Sequence, residues 1–570
     1  MKRAECSSIK YVLRIGIAAA CICVFASCVS APKGDAEALV HTDSRPHAVK
    51  KKKYNEARFY KALDDGDFET ATAFLLGQKI TNRERIRQYL DLAFAEHFDK
   101  VYDSSIEVCN KVDALMEDAV TKSVTRTVLS ATLNENASEY SGRVYEYLYV
   151  NLFNALNYYH RGDMEGALVE IRKIGNKQRE YIAKYGKAVL AKDAPQKREI
   201  TDADYAAALF GINMPALIAK SPPQATKDDV FRDSAASRYV SMLFRLMNGD
   251  ADDARIDADV IAMLSPRFPA AQMLAIPEGK GRLDVLAFYG LIGRRYEQSF
   301  YFPGDVVNGL AGLNFSVIGI GSSAMIVMPP FPNGVVIPAF RLKFVYPAFD
   351  ASSIRQHIAG VRILVSDVNA SGKLVAVRNV VGKHDAEGRS ASNSDIGGRN
   401  ADKHDDPSVI GTDGKGEAAA VCDLSLLEDF NDAVDKDVRT HAAKAFARSV
   451  VRSLLKKSAA VTAGEATLAA LADKNSNKKS FADALLYELA YLSVSAAIDA
   501  VDAAETADVR QSVCLPARAY AGGCAVEPGS YDVTVQYVDA SSNIVFQERF
   551  ASVNVESGVP VLIESSYMKK

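Results

Sequence analysis

The chain has 570 residues, of which 48% are hydrophobic and 24% are charged, and its formal net charge is −3. These values are ordinary for globular protein, and the lack of a positive balance excludes a general affinity for nucleic acid. Because single hydrophobic cores stop growing at roughly 250–300 residues, the length predicts two or more domains.

The chain begins with a segment typical of protein export. Lys2 and Arg3 precede an apolar run over residues 15–26, which is shorter than the roughly 20 residues that cross a bilayer. The small residues Ala26 and Ser27 stand directly before Cys28, as in the lipobox of bacterial lipoproteins. We expect residues 1–27 to be a signal peptide. The thiol of Cys28 would then carry diacylglycerol and a fatty acyl chain, and no other cofactor is predicted. The alternative is ordinary secretion of a soluble protein, with cleavage after Ala31.

Residues 28–53 have no apolar periodicity and predict a flexible tether that reaches about 25–30 Å. The tether ends in four consecutive lysines, which would rest on anionic headgroups or simply begin the first helix in solvent. A bilayer is therefore a predicted partner. Val29, rather than Asp, follows Cys28, which favours the periplasmic face of the outer membrane.

Residues 54–301 have a helical pattern in which one short phrase recurs. The phrase reads Gly-Asp-x-acid-x-Ala, where x is any residue. It begins at Gly66, Gly162 and Gly249, and a weaker copy includes Asp99. The glycine would end one helix in a left-handed conformation, and the aspartate would cap the next helix. The phrase predicts helix hairpins and resembles the turn of tetratricopeptide (TPR) repeats.

Stacked helix hairpins form curved surfaces that commonly bind peptides or proteins. Glu170 and Arg172 follow the second copy of the phrase, and Arg255 and Asp257 follow the third. We interpret these four residues as candidate partner contacts. Two alternatives remain at this stage: the residues pair between neighbouring hairpins, or they lie on a solvated helix face while the helices only support the rest of the chain.

The C-terminal half has strand signals around a helical insertion. Residues 302–381 are predicted to be β-rich, and they include an uncharged run over residues 306–340 that we interpret as buried strands with a glycine-rich turn. Residues 382–417 form a low-complexity excursion. Residues 418–507 predict a helical hairpin, with helices over 424–457 and 481–504 and the second of them buried. Residues 508–570 predict an antiparallel β meander, in which Tyr531, Val533, Val535 and Tyr537 face inwards.

The predicted fold class is therefore α+β and multidomain, with a TPR-like helical repeat domain followed by a β-sandwich-like module that contains inserted helices.

Cys514 and Cys524 lie ten positions apart around a turn-rich stretch and are candidates for a local disulfide. The alternative is that these cysteines, with Cys109 and Cys422, are buried small hydrophobes. No pair has CxxC spacing, so no metal site is predicted.

Catalytic motifs are not found in the sequence: HExxH, GxSxG and a P-loop are all absent, so no catalytic residue is assigned and the protein is predicted not to be an enzyme.

Several short phrases of the sequence, taken in their order along the chain, resemble those of one protein family. They are residues 140–146, 155–159, 167–172, 253–257, 507–510, 515–517 and 528–531. With the lipobox, they resemble uncharacterised bacterial lipoproteins with N-terminal TPR-like repeats and a C-terminal β-rich module. The resemblance implies architecture and an envelope location only.

These features predict a membrane-anchored, non-enzymatic scaffold or adaptor for protein partners in the cell envelope. One alternative is a binding module for a small molecule or glycan, with a pocket formed by the β half and the uncharged run. A further alternative is a cell-wall hydrolase. The sequence leaves the oligomeric state open.

Overall fold

The structure is a computed structural model that describes residues 56–123, 136, 138–189, 214–231, 233–304, 316–319, 325–327, 340–351, 354, 357–367, 378–379, 421–474 and 481–569. The predicted signal peptide, Cys28, the tether, the excursion over 382–417 and most of the uncharged run lie outside the described residues.

The N-terminal half of the described chain is helical. Its helices are α1 (Glu56–Asp64), α2 (Phe68–Leu76), α3 (Arg85–Phe98), α4 (Tyr102–Ser123), α5 (Val144–His160), α6 (Met164–Val189), α7 (Met214–Lys220), α8 (Ala235–Met247) and α9 (Ala251–Leu264). Short 3-10 turns follow at Lys227–Asp229 and Ala270–Leu274.

The recurring phrase forms the turn of a helix hairpin at each predicted copy. Gly66, Gly162 and Gly249 have φ values of 71°, 74° and 84°, in the left-handed region that glycine adopts without a steric penalty. Asp67 caps α2 by accepting from the Thr70 N–H at 3.0 Å, and Asp163 caps α6 in the same way. The cap predicted for α9 is not formed.

The weaker copy is also a turn, between α3 and α4. Here Lys100 takes the left-handed conformation, with φ of 61°, in place of glycine. The side chain of Asp250, at the third copy, accepts from Asn248 Nδ2 at 2.7 Å instead of capping α9. The helix hairpins are thus observed, while their membership of the TPR class stays a prediction.

The C-terminal part contains strands and a long helical hairpin. The described strands are β1 (Gly281–Leu291), β2 (Tyr296–Gly304), β3 (Ser316–Gly319), β4 (Met325–Val327), β5 (Phe340–Ala348), β6 (Gly360–Asp367), β7 (Arg378–Asn379), β8 (Val421–Asp429), β9 (Pro516–Val526), β10 (Gly529–Val538), β11 (Ile544–Val555) and β12 (Pro560–Tyr567). The hairpin consists of α10 (Phe430–Lys474) and α11 (Phe481–Ala504).

Seven strands form one mixed sheet in the order β11-β10-β6-β8-β9-β1-β12, and the short β7 also pairs with β9. The sheet is nearly closed, because β11 and β12 at its two ends contact each other and Ser565 Oγ donates to Glu548 Oε2 at 2.9 Å. The pairs β2–β5 and β3–β4 are separate. The predicted sandwich is not confirmed, since these strands make a single sheet.

The two faces of the sheet belong to different cores. Leu286 and Phe288 of β1 pack with the helices, whereas Leu283 and Val285 pack inside the sheet with residues such as Val533. Alternate side chains of a strand point to opposite faces, so β1 is buried on both sides. The predicted inward alternation of β10 is confirmed: its side chains at 531, 533, 535 and 537 are buried.

Several predicted boundaries are wrong. The helical region ends at Leu274 rather than at residue 301, because β1 and β2 follow it. Residues 424–429 belong to β8 rather than to a helix. The last strand does not complete an antiparallel meander, since β12 pairs with β1 in parallel. Helix α11 has the predicted bounds, but among its described side chains Leu489 and Leu492 are exposed rather than buried. No helix among the described residues is both long and apolar enough to cross a membrane.

Candidate functional site

The inner side of the helix hairpins contacts the protein's own sheet. The rings of Phe153 on α5 and Phe288 on β1 lie 5.4 Å apart, and Tyr239 of α8 donates to Asp284 of β1 at 3.0 Å. Tyr159 of α5 donates to the carbonyl of β12 residue 562 at 3.1 Å. The surface on which a curved helical scaffold would hold a peptide is therefore filled by β1 and β12.

A carboxylate of β12 joins two helices at this contact. His97 Nε2 lies 2.8 Å from Glu564 Oε1, and His160 Nε2 lies 2.8 Å from Glu564 Oε2. We call these three residues the Glu564 cluster. Both histidines lie in the last turn of their helices, where the helix dipole favours positive charge.

Hydrogen bonds around His97 have a defined direction. Ser105 Oγ donates to the Ala93 carbonyl at 2.8 Å, and Asn157 Nδ2 donates to Ser105 Oγ at 2.8 Å. Asn157 Oδ1 is then the acceptor that faces His97 Nδ1 at 2.7 Å. Both ring nitrogens of His97 thus face acceptor oxygens.

The Glu564 cluster is almost closed to solvent. The side chain of His97 is fully buried, whereas that of His160 is 20% exposed and stacks on the Tyr102 ring at 4.5 Å. Burial by itself raises the pKa of Glu564, but His97 and His160 outweigh it and hold this pKa well below its usual range. Burial and the carboxylate of Glu564 raise the pKa of Tyr102.

A second buried contact involves residues 505–515, which run between α11 and β9 and which we call the connecting segment. Glu146, in the first turn of α5, accepts from the Ser512 N–H at 2.5 Å, the Tyr140 hydroxyl at 2.6 Å and the Arg143 N–H at 2.7 Å. Burial raises the pKa of Glu146, and these hydrogen bonds oppose the rise.

Helix α3 holds the same segment through Asp91. Its Oδ1 accepts from Ser512 Oγ and from the Val513 N–H, both at 2.8 Å. Its Oδ2 lies 3.2 Å from Arg87 Nη1. Burial raises the pKa of Asp91, and Arg87 opposes this rise. The carboxylate therefore satisfies two donors of the connecting segment that would otherwise be buried without partners.

Two arginines meet at Asp508 of the connecting segment. Arg143 Nη2 donates to the Arg510 carbonyl at 3.0 Å and lies 3.3 Å from Asp508 Oδ2, while Arg510 Nε donates to Asp508 Oδ1 at 2.8 Å. Burial alone would raise the pKa of Asp508, but Arg143 and Arg510 lower it to about 2. Both guanidinium groups lie over the Tyr140 ring. Two phrases that support the family resemblance, 140–146 and 507–510, thus contact each other.

Another buried ion pair joins the residue directly before β2 to α10. Arg295 pairs with Asp437, and both side chains are almost fully buried. Burial would raise the pKa of Asp437, but Arg295, His441 and Arg143 lower it to about 2. Together, these contacts fix the helices, the connecting segment and the sheet as one unit.

These buried groups pair opposite charges, and hydrogen-bond donors with acceptors, inside the protein. No group of three or more His, Cys, Asp or Glu side chains suited to a metal ion occurs in the part of the chain that the structure describes. Cys109 and Cys514 are buried, and burial raises the pKa of both thiols, which disfavours the reactive thiolate. The polar contacts described above cross-link neighbouring elements of the described chain.

Two of the residues predicted to contact a partner are instead buried within the helical half. Glu170 is buried and accepts from Asn151 at 2.6 Å and from Lys173 at 2.8 Å. Asp257 is buried and accepts from Arg238 at 2.9 Å, through which α8 and α9 are joined. The prediction that these carboxylates face a partner is wrong, because an acid buried beside cations and amides of neighbouring helices has its acceptors filled.

The two predicted arginines remain on the surface. Arg172 is exposed on α6. The side chain of Arg255 on α9 is 62% exposed, with Nη1 3.6 Å from Asp259 Oδ2. An exposed pair of this kind contributes little to stability, so Arg255 can exchange its partner at small cost. Arg172 and Arg255 therefore stay candidates for partner contact.

The predicted Cys514–Cys524 disulfide is wrong. Cys524 of β9 is bonded to Cys422 of β8, and Cys514 is a free, buried thiol. Strands β8 and β9 are antiparallel neighbours with Ser425 opposite Ala521, and the two bonded cysteines lie three positions beyond this pair on each strand. The alternative prediction of a buried hydrophobe is confirmed for Cys109 and Cys514.

Sequence reasoning did not find Glu564, His97 or Asp91. Glu564 lies 467 positions from His97 and Asp91 lies 421 positions from Ser512, so no local spacing marks these contacts. The one available signal was the pair of phrases 140–146 and 507–510, whose arginines and acids now prove to be neighbours. No family model, no curated protein and no solved structure matches the chain.

Proposed function

We propose that this protein is a membrane-anchored bacterial lipoprotein that acts as a non-enzymatic scaffold for protein partners in the cell envelope, with TPR-like hairpins that bind through their outer faces. The observation that carries the proposal is the surface of α9. There Ile256 and Met263 are 51% and 73% exposed beside Arg255. On α6, Val169 is exposed close to Arg172.

Such surfaces have the composition of protein-binding sites. An apolar centre with arginine at its edge is enriched in interfaces, because the apolar groups lose water on binding while arginine makes directed hydrogen bonds. The inner side of the hairpins is filled by β1 and β12, so the outer helices α6 and α9 are the surfaces left for a partner.

The membrane part of the proposal depends on the sequence before residue 54. Ala26 and Ser27 stand before Cys28, and the tether that follows would hold the folded part within about 25–30 Å of the bilayer. Metabolic labelling with a palmitate analogue tests it: labelling is lost in the Cys28→Ala variant. Equal labelling of both chains would rule out lipidation at this residue.

Affinity purification after chemical cross-linking tests the scaffold. The variant Ile256→Asp with Met263→Asp should recover at least fivefold less of each partner than the parent chain, because two charges replace the apolar centre. A matched control places aspartate at Ile544 and Val545, which are exposed on β11. Equal recovery with the α9 variant and the control, both folded, contradicts the proposal.

A further inference from the structure

Helix α6 exposes one continuous stripe of side chains along its outer face. The members follow one another at spacings of four, three, four and three positions, which places them on one face of a helix. All of them are exposed, and Arg179 Nη2 donates to Asn176 Oδ1 within the set. We call this set the α6 stripe: Glu165, Val169, Arg172, Asn176 and Arg179. Two cations against one acid give the α6 stripe a positive balance.

Helix α9 exposes a stripe of the opposite charge. Its members follow at spacings of four, three and four positions, and all are exposed. We call this set the α9 stripe: Asp252, Ile256, Asp259 and Met263. It contains two acids and no cation, so its charge complements that of the α6 stripe.

The charges beside the two stripes leave this contrast intact. Beside the α6 stripe, Lys173 and Glu180 offset each other, and beside the α9 stripe, Arg255 and Asp253 do the same. Arg255 Nη1 lies 3.6 Å from Asp259 Oδ2, and both side chains are exposed. An exposed pair of this kind contributes little to stability, so Asp259 can accept another cation at small cost.

The two stripes match in spacing when the helices run antiparallel. A helix rises about 1.5 Å per residue, so positions along the two axes can be compared directly. With Val169 opposite Met263, four pairs match to within about 1.5 Å along the axis. The pairs are Val169 with Met263, Arg172 with Asp259, Asn176 with Ile256, and Arg179 with Asp252. Each arginine of the α6 stripe thus faces an acid, and two apolar side chains face each other.

A parallel arrangement of the same stripes is unfavourable. With Val169 opposite Ile256, Glu165 would face Asp252, and with Val169 opposite Met263, Glu165 would face Asp259. Like charges placed opposite each other across an interface oppose association. The charge pattern therefore selects the antiparallel direction.

Within one chain, α6 and α9 turn their other faces to the same arginine of α8. Arg238 donates to Gln178 Oε1 of α6 and to Asp257 Oδ1 of α9. Gln178 and Asp257 are buried, whereas both stripes are exposed, so the two stripes of one chain do not meet. We propose that the α6 stripe of one copy of this chain packs antiparallel on the α9 stripe of a second copy. The inference rests on the proposed function, in which outer faces bind proteins, and it names one partner.

Charge reversal tests this proposal. The chain from residue 28 is purified with Cys28→Ala, so that this thiol cannot link two copies, and self-association is measured by sedimentation velocity at low salt. Arg172→Asp with Arg179→Asp makes both stripes acidic, and the association constant should fall at least tenfold. Asp252→Arg with Asp259→Arg makes both stripes basic and should have the same effect.

An equimolar mixture of the two reversed chains should associate to within threefold of the parent chain. In the mixture, the acidic α6 stripe of one chain meets the basic α9 stripe of the other. The matched control is Lys61→Asp with Arg549→Asp, which makes the same change in net charge at exposed positions on other elements. It should associate as the parent chain does, and circular dichroism checks that each variant is folded.

Three outcomes would overturn the proposal. The first is a parent chain that stays monomeric at every concentration. The second is association of the reversed chains that equals that of the control, and the third is a mixture that does not recover association. In each case, loss of other envelope partners from the variant Ile256→Asp with Met263→Asp would still support the proposed function, so the two failures are distinguishable.

Discussion

His97 and Glu564 contact each other at 2.8 Å although 467 positions separate them in the chain. The contact joins the last turn of α3 to β12, and His160 adds the end of α5 to the same carboxylate. All three side chains are largely buried, so removal of the Glu564 carboxylate would leave Nε2 of both histidines without this partner.

The first prediction concerns Glu564. Glu564→Gln keeps the shape of the side chain but removes the charge that faces His97 and His160. Loss of one partner from a buried ion pair typically costs about 3–5 kcal/mol, so we expect the free energy of unfolding at pH 7 to fall by about 3 kcal/mol. Urea unfolding followed by circular dichroism measures it. Glu556→Gln, in an exposed turn, is the control and should change stability by less than about 0.5 kcal/mol.

The second prediction concerns acid. The pKa of Asp508 is about 2 in the folded protein and near its ordinary value of 3.8 in the unfolded chain. Because the pKa of Asp508 is lower in the folded protein, its carboxylate adds to the free energy of unfolding. This contribution is complete above about pH 4 and is lost as the pH falls towards 2. Asp508→Asn should therefore reduce the loss of stability between pH 5 and pH 2 by about 2 kcal/mol. Urea unfolding at several pH values tests this. If the free energy of unfolding of Asp508→Asn depends on pH as that of the exposed control Asp259→Asn does, the prediction is contradicted.

The third prediction concerns the disulfide. Peptide mapping of the oxidised protein should find Cys422 linked to Cys524 and should find Cys514 free. The bond joins positions 102 apart, so its loss in Cys422→Ala should lower the free energy of unfolding by about 2–4 kcal/mol. Cys514→Ala should leave the bond intact. A peptide that links Cys514 to Cys524 would show the pairing to be wrong.

The fourth prediction compares two glycines. A Cβ at Gly523 would lie 2.7 Å from Asp284 Oδ1 and 3.0 Å from the Leu283 carbonyl, so Gly523→Ala should destabilise the protein by about 1–3 kcal/mol. A Cβ at Gly175, within α6, would meet nothing within 4 Å. Gly175→Ala should therefore stabilise it by about 0.5–1 kcal/mol. Thermal unfolding distinguishes the two, and shifts of the same sign would contradict this account.

Local features of the fold were predictable from the sequence. The left-handed turns at Gly66, Gly162 and Gly249, the bounds of α11 and the alternation of β10 each depend on residues within a few positions of one another. At Lys100 the weak copy of the phrase lacks glycine, and the lysine itself takes the left-handed conformation.

Features that depend on distant residues were not predictable. Strand β1 is buried on both faces, so it has no alternation, and Arg282 and Asp284 within it neutralise each other instead of marking a solvent-facing side. The partner of Cys524 lies 102 positions away, on the neighbouring strand β8. Glu564 becomes part of a cluster only when β12 pairs in parallel with β1 and lies beneath the helices.

Photocross-linking in intact cells tests the central claim most directly, which is that a lipid-anchored chain binds envelope proteins through the outer face of α9. A photoreactive residue at Met263 should give discrete higher-mass products in the membrane fraction, and these should be lost in the Cys28→Ala chain. The same residue at Ile544 should give none. The absence of products at Met263, or their equal yield from a released Cys28→Ala chain, would contradict the account.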